Sequence, residues 1–129
     1  MIVLDASALV DVVADRPGRD AVLDHLDTRI LAPAHQLAEV SSAIVRLLRA
    51  GELTAERAER ALSDAAALRQ HVAVLDTDLA MRAWQLRDSI RILDGFYVAL
   101  AERHRCPLVT TDGRLARANP PCGIIRPGS

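Results

Sequence analysis

The feature that most constrains the fold of this chain is an alternation of short apolar, often β-branched runs with much longer stretches of helical spacing. The runs at residues 2–4, 29–32, 72–75, 107–110 and 124–125 are strand candidates. Between them, residues 35–50 repeat Leu37, Val40, Ile44, Leu47 and Leu48 at steps of three, four and one, as one face of a helix does. Residues 8–14 and a stretch ending near 27 predict two helices on either side of Arg16-Pro17-Gly18. Gly51 stops the long helix, Thr54 with residues 57–68 opens another, and 77–88 and 95–104 add two more. Strands that alternate with helices imply an α/β domain with a parallel sheet. The 129 residues, 50% of them hydrophobic, are expected to form one domain over 1–129.

The cations narrow the chemistry. All sixteen basic residues are Arg and none is Lys. A phosphate loop ending in Gly-Lys, a Schiff-base lysine, a pyridoxal enzyme and a Ser-Lys hydrolase each need an ammonium that this chain lacks. Net charge is -1, so no bulk field draws it to nucleic acid or an anionic membrane, and a phosphate-bearing partner has to be handled locally. Cys106 and Cys122 lie far apart with no Cys-x-x-Cys and no flanking His, so neither a zinc knuckle nor a redox dithiol is expected. Met1 passes straight into Ile2, Val3, Leu4 and Asp5 without a basic region or long apolar run. Neither a signal peptide nor a membrane span is therefore expected, and the chain is expected to be soluble and cytoplasmic.

In a parallel sheet the strands point one way and the helices return, so helix starts share the sheet's carboxyl edge, where open α/β sheets bind ligands. Four acids fall there. Asp5 ends the first strand, Asp112 follows the fourth, Asp94 opens the helix that feeds that strand, and Glu39 lies early in the helix after the second. Each also has a plain structural reading: Asp5 and Asp94 as helix caps, Glu39 at the positive end of its helix, Asp112 before Gly113 as a turn residue. Asp76 is the control, because it follows the third strand as Asp5 follows the first.

Crowded carboxylates either hold protons or bind a hard divalent cation, and oxygen ligands without His or Cys favour Mg²⁺ or Mn²⁺. Such a site suits phosphodiester hydrolysis. Ser7, Thr110 and Thr111 stand where they can orient carboxylates or cap backbone groups. His25, His35, His71 and His104 form no pattern with the acids and are expected at the surface or its boundary.

Four motifs in order resemble the PIN-domain family, specifically toxin ribonucleases of the VapC type from toxin-antitoxin pairs. They are Val3-Leu4-Asp5-Ala6-Ser7, Glu39-Val40, the run Asp94-Gly95-Phe96-Tyr97-Val98-Ala99-Leu100-Ala101, and Leu108-Val109-Thr110-Thr111-Asp112. The resemblance implies a PIN-like three-layer α/β fold with a five-stranded parallel sheet flanked by helices. It also implies that Asp5, Glu39, Asp94 and Asp112 ligate Mg²⁺ or Mn²⁺ and cleave RNA, and that Asp76 is structural on an edge strand. Many relatives carry Asn where Ser42 stands and Thr or Ser where Arg91 stands, so support of the acids and grip on substrate are expected to differ. Gly95, less usual than Ala after the acid, is expected to loosen its helix.

The resemblance further implies a cognate antitoxin that covers the acids, and a homodimer. Val10, Val13, Leu23 and Leu26 form stripes that serve either as core or as a groove for a partner helix. Arg46, Arg91 and Arg114, with Arg49, Arg87 and Arg117, are candidate phosphate contacts, although helical arginines commonly form solvated faces. Trp84 and Phe96 are expected in the core, and Tyr97 near the acids. Two other readings remain. One is a non-catalytic RNA- or protein-binding module. The other is an aspartyl-nucleophile phosphohydrolase, which fits poorly because Ser7 replaces the second Asp of its motif and no Lys is present.

Overall fold

A computed structural model describes residues 1–128. Five parallel strands, β1 (Ile2–Leu4), β2 (Ile30–Pro33), β3 (His71–Ala73), β4 (Leu108–Val109) and β5 (Ile124–Ile125), lie in the order β3-β2-β1-β4-β5. Val3 pairs with Leu31 on one side and with Leu108 on the other, so β1 is central and the strand order reverses between β1 and β4. Helices α1 (Ala6–Val13), α2 (Arg19–Leu23), α3 (Gln36–Arg49), α4 (Ala55–Ala67), α5 (Thr77–Gln85), α6 (Ile92–His104) and α7 (Gly113–Arg117) flank the sheet. The expected α/β class and five-stranded parallel sheet are present.

Burial explains why β1 reads as an unbroken apolar run: Val3 and Leu4 are enclosed on both faces, as strands of a covered parallel sheet are. By contrast, β3 is an edge strand whose Val72 is exposed, and it ends at Ala73 rather than at 75. Ala34 N–H donates to Ala73 O as the ladder closes, and Val74 projects into solvent. Helix α6 is buried nearly all round, with Tyr97, Val98, Leu100 and Ala101 inaccessible to solvent, and so lacks the one-sided stripe that marks α3.

Several boundaries move. The helix expected over 8–14 begins at Ala6, because Asp5 caps it; α2 ends at Leu23 and α5 at Gln85. Helix α6 starts three residues before Gly95, which makes Asp94 an internal residue of its first turn and not the cap. Helix α7 was not anticipated; Asp112-Gly113 reads as a turn, yet the Asp112 side chain accepts from Arg114 N–H and Leu115 N–H and starts a helix. Gly95 does not loosen α6. A Cβ there would lie 2.9 Å from the Ala83 Cβ, so the missing side chain lets α5 and α6 touch.

Candidate active site

The acids are positioned by backbone turns before they are positioned by one another. Asp5 leaves β1 in an extended conformation and caps α1, Oδ1 accepting from Ala6 N–H at 2.9 Å. Its Oδ2 accepts from Ser7 Oγ at 2.7 Å and from Thr110 Oγ1 at 2.6 Å, so the hydroxyl that ends β4 orients the carboxylate that ends β1. Ser7 Oγ in turn accepts from Thr111 N–H at 3.2 Å, and Thr110 Oγ1 from Asp112 N–H at 3.0 Å. Gln36, itself buried, donates to Leu4 O at 2.9 Å and satisfies the last carbonyl of β1.

Glu39 stands in the first turn of α3, and its Oε1 accepts from the Tyr97 hydroxyl of α6 at 2.7 Å. The expected nearness of Tyr97 to the acids is thus a direct bond. His35, one turn earlier on α3, brings Nε2 to 2.9 Å from Leu93 O and 3.4 Å from Glu39 Oε1, with its ring against Phe96 and Tyr97. This corrects the expectation that no histidine relates to the acids. The i, i+4 spacing of His35 and Glu39 carried the signal.

Asp94 is 7% exposed, with Oδ2 at 3.3 Å from Arg114 Nη2 and 3.7 Å from Arg91 Nε. Asp112 receives Arg114 Nη2 at 2.9 Å, so one guanidinium spans two of the four acids. Together Asp5, Glu39, Asp94 and Asp112 line an open cavity of about 400 Å³ with Ser7 and Thr111 on its wall, at the carboxyl edge beside the β1–β4 reversal. Arg16, Arg46 and Arg91 also border it. Asp11, four residues after Ser7 on the same face of α1, is a lining acid that the sequence reading passed over.

The remaining expectations divide. Ser42 contacts none of the acids: it is exposed and accepts from Arg46 Nη1 at 3.3 Å, one turn along α3. Trp84 is not core but 54% exposed, with the Arg87 guanidinium 4.1 Å above its ring, whereas Phe96 is partly buried. Val10 and Val13 belong to the core, and Leu23 is exposed.

Environment sets the charges apart. Burial pushes the Asp5 carboxyl up to about 6; the two hydroxyls oppose this, and Asp94 and Glu39 add to it. Burial likewise raises Asp94 against the pull of Arg91 and Arg114. Burial also works against ionised Asp112, but Arg114 and the capping amides outweigh it and hold that carboxyl below the usual range. Burial thus disfavours the charged form at Asp5 and Asp94, a cost that a bound cation would offset. The donors are hard oxygens, which suit Mg²⁺ or Mn²⁺. Among the described residues, no three of His, Cys, Asp and Glu are grouped so as to hold a metal ion between them, and Arg114 is the cation that touches both Asp94 and Asp112.

Among the described residues no helix is long and apolar enough to cross a membrane. Comparison with known proteins gives a consistent result. The chain is 45% identical over 128 residues to the Mycobacterium tuberculosis protein named Ribonuclease VapC3, covering 96% of this chain and 91% of that one. It is 37% identical to Ribonuclease VapC12 of the same species, covering 92% of each. Among solved structures, Mycobacterium tuberculosis VapC20, described as a sarcin-ricin loop cleaving toxin, superposes with a TM-score of 0.69 at 18% identity over 92% of this chain and 95% of that one. A toxin-antitoxin complex from Klebsiella pneumoniae gives 0.67 at 20% identity over 97% and 96%. The PIN domain family profile matches residues 2–119. With its sheet order, its acids at the strand reversal and that match over most of its length, the chain belongs to the PIN-domain family.

Proposed function

We propose that this protein is a metal-dependent endoribonuclease, the toxin of a toxin-antitoxin pair, which hydrolyses RNA phosphodiester bonds and is neutralised by a cognate antitoxin. The observation that carries the reading is the convergence of Asp5, Glu39, Asp94 and Asp112, from four separate segments, on one cavity at the sheet's carboxyl edge. The names of the VapC relatives support it. Asp5, Asp94, Asp112 and Glu39 would hold Mg²⁺ or Mn²⁺, which when bound supplies Lewis acidity and a more acidic water for in-line attack on phosphorus.

The chain's own groups do the positioning. Ser7 and Thr110 fix the Asp5 carboxylate, and Tyr97 and His35 fix Glu39. Arg46 and Arg91, on the cavity wall, would receive backbone phosphates, and Arg114, half exposed and spanning Asp94 and Asp112, would be the third. A homodimer and a small antitoxin that places a basic side chain among the acids complete the proposal, in line with toxin-antitoxin complexes of the same fold.

A second reading, a non-catalytic PIN-like module, draws on the Arg114 contacts and the absence of a closed metal cluster among the described residues. The aspartyl-nucleophile reading has less support, since Ser7 stands where its motif carries a second Asp and the sequence has no Lys. The test is cleavage of end-labelled total RNA by the purified chain in Mg²⁺, Mn²⁺ or chelator, beside Asp94→Asn prepared identically. Metal-dependent products that vanish in the variant are expected. Cleavage that persists in chelator or in the variant, or no cleavage with antitoxin shown absent, would overturn the reading.

A further inference from the structure

The two cysteines, distant in sequence, are neighbours across the β4–β5 edge. Leu108 pairs with Ile124 and Val109 with Ile125, and Leu108 N–H donates to Gly123 O at 2.8 Å. Extended two residues back beyond the ends of β4 and β5, that register brings Cys106 level with Cys122. The chains still run side by side one residue before the ladder, since a Cβ on Gly123 would lie 3.7 Å from the Pro107 Cα. Residues opposed in parallel strands project to the same side about 4.8 Å apart, which is within the Cα separation that a disulfide spans. Both cysteines line one cavity between the end of α6 and the segment 121–123, and both thiols are free. Burial pushes the Cys122 thiol up to about 11, with Glu102 and then Cys106 adding to the shift.

We propose that Cys106 and Cys122 form a redox-sensitive pair that closes to an intramolecular disulfide. The oxidant is a low-molecular-weight disulfide. One cysteine thiolate attacks it, forming a mixed disulfide and releasing one small thiol. The second cysteine then loses its proton and displaces the other small thiol, so that two S–H bonds are exchanged for one S–S bond and the oxidant leaves as two thiols. Either cysteine can make the first attack, and its neighbour then resolves the mixed disulfide. Burial keeps both thiols protonated, so the exchange runs faster at pH 9 than at pH 7. The segment enclosed by the bridge carries Thr110, Asp112 and Arg114, so the staple closes the loop that supplies one side of the acidic cavity.

The test uses the reduced, full-length protein with oxidised glutathione. Intact-mass and peptide mapping are expected to show loss of two hydrogens, no adduct, and a joined pair of peptides containing Cys106 and Cys122, in a product that stays monomeric on non-reducing gels. The oxidised form is expected to melt on the order of 10 °C higher, reversibly with dithiothreitol. Cys122→Ser, in which the resolving pair is broken, is expected to give no bridge. Stable glutathione adducts on the wild type, disulfide-linked dimers, or thiols that react only after unfolding in guanidinium would each overturn the proposal. Mapping of the wild type decides the matter even if the variant fails to fold.

Discussion

Asp5 and Asp76 start from the same local pattern and arrive at opposite chemistry. Each follows a strand of the same parallel sheet, and each caps the next helix, Asp5 through Ala6 N–H and Asp76 through Leu79 N–H, both at 2.9 Å. Asp5, however, follows the central strand beside β4, is 4% exposed, and is held by two hydroxyls with Asp94 and Glu39 close by, without a guanidinium among the described residues bonded to it. Asp76 follows the edge strand β3 by three residues and takes both prongs of the Arg103 guanidinium at 2.8 and 2.9 Å. Arg103 holds its carboxyl down to about 2, while burial lifts Asp5 to about 6. Place in the strand order, and not the strand-then-Asp motif, separates an acid stored at a site from an acid neutralised on the surface.

The largest break in this comparison is functional. Asp5→Asn is expected to lower RNA cleavage at least about 100-fold while Asp76→Asn leaves it within about twofold, read on end-labelled RNA. An Asp5 variant at wild-type rate, or an equal loss in a folded Asp76 variant, would remove the distinction.

Stability should separate them next. Asp5 has a folded value of about 6 against an ordinary 3.8, so the folded chain binds its proton more tightly; the stability this confers is present below about 3.8 and is lost as pH rises to about 6. Asp5→Asn removes that loss, and at pH 7 it should melt above wild type by the equivalent of about 3 kcal/mol, with a flatter pH dependence between 4 and 6. A variant less stable than wild type at pH 7 would contradict the burial argument.

Thr110→Val sharpens the same contrast. Losing a buried hydroxyl that donates to Asp5 should cost about 1–3 kcal/mol and move the Asp5 window upward, visible as a later fall in melting temperature on raising pH. If Asp5→Asn in the same background abolishes that shift, the hydroxyl acts through the carboxylate. The smallest effect is expected at the other pole. Asp76 has a depressed value, so its contribution is present above about 3.8 and lost as pH falls toward 2. In Arg103→Ala the Asp76 carboxyl should titrate nearer its ordinary value by NMR, with melting at pH 7 nearly unmoved because the pair is exposed. A large loss of stability at pH 7 would show that the pair is more than a surface contact.

What was legible in the sequence was periodic or punctuated. The β1 and β5 boundaries match residue for residue, and α3 was visible from its stripe, because burial on one face writes a period into the residues. The four acids were legible as residues at strand ends and helix starts, and their convergence followed from parallel topology. The losses have physical causes. Helix α7 is five residues long, too short to show a period, and its signal was confined to the cap at Asp112. Ser42 stands where many relatives carry Asn in support of the acids, but its hydroxyl is spent on Arg46. Trp84 was assigned to the core by hydrophobicity, whereas the Arg87 guanidinium covers an exposed ring. Gly95 reads as a weak helix start until the approach of Ala83 is known, and two cysteines with no shared motif become neighbours only once the strand register is known.

The bond from Thr110 Oγ1 to Asp5 spans 105 residues of chain, and that from Thr111 N–H to Ser7 spans 104. A ribosome adding about 5–20 residues per second therefore releases Asp5 seconds before the strand that orients it. Until β4 is made, Asp5 lacks the hydroxyl that orients it and Ser7 the amide it accepts from. Competence of the acidic cavity therefore waits on β4, because the hydroxyl that orients Asp5 is made more than a hundred residues after the carboxylate it holds.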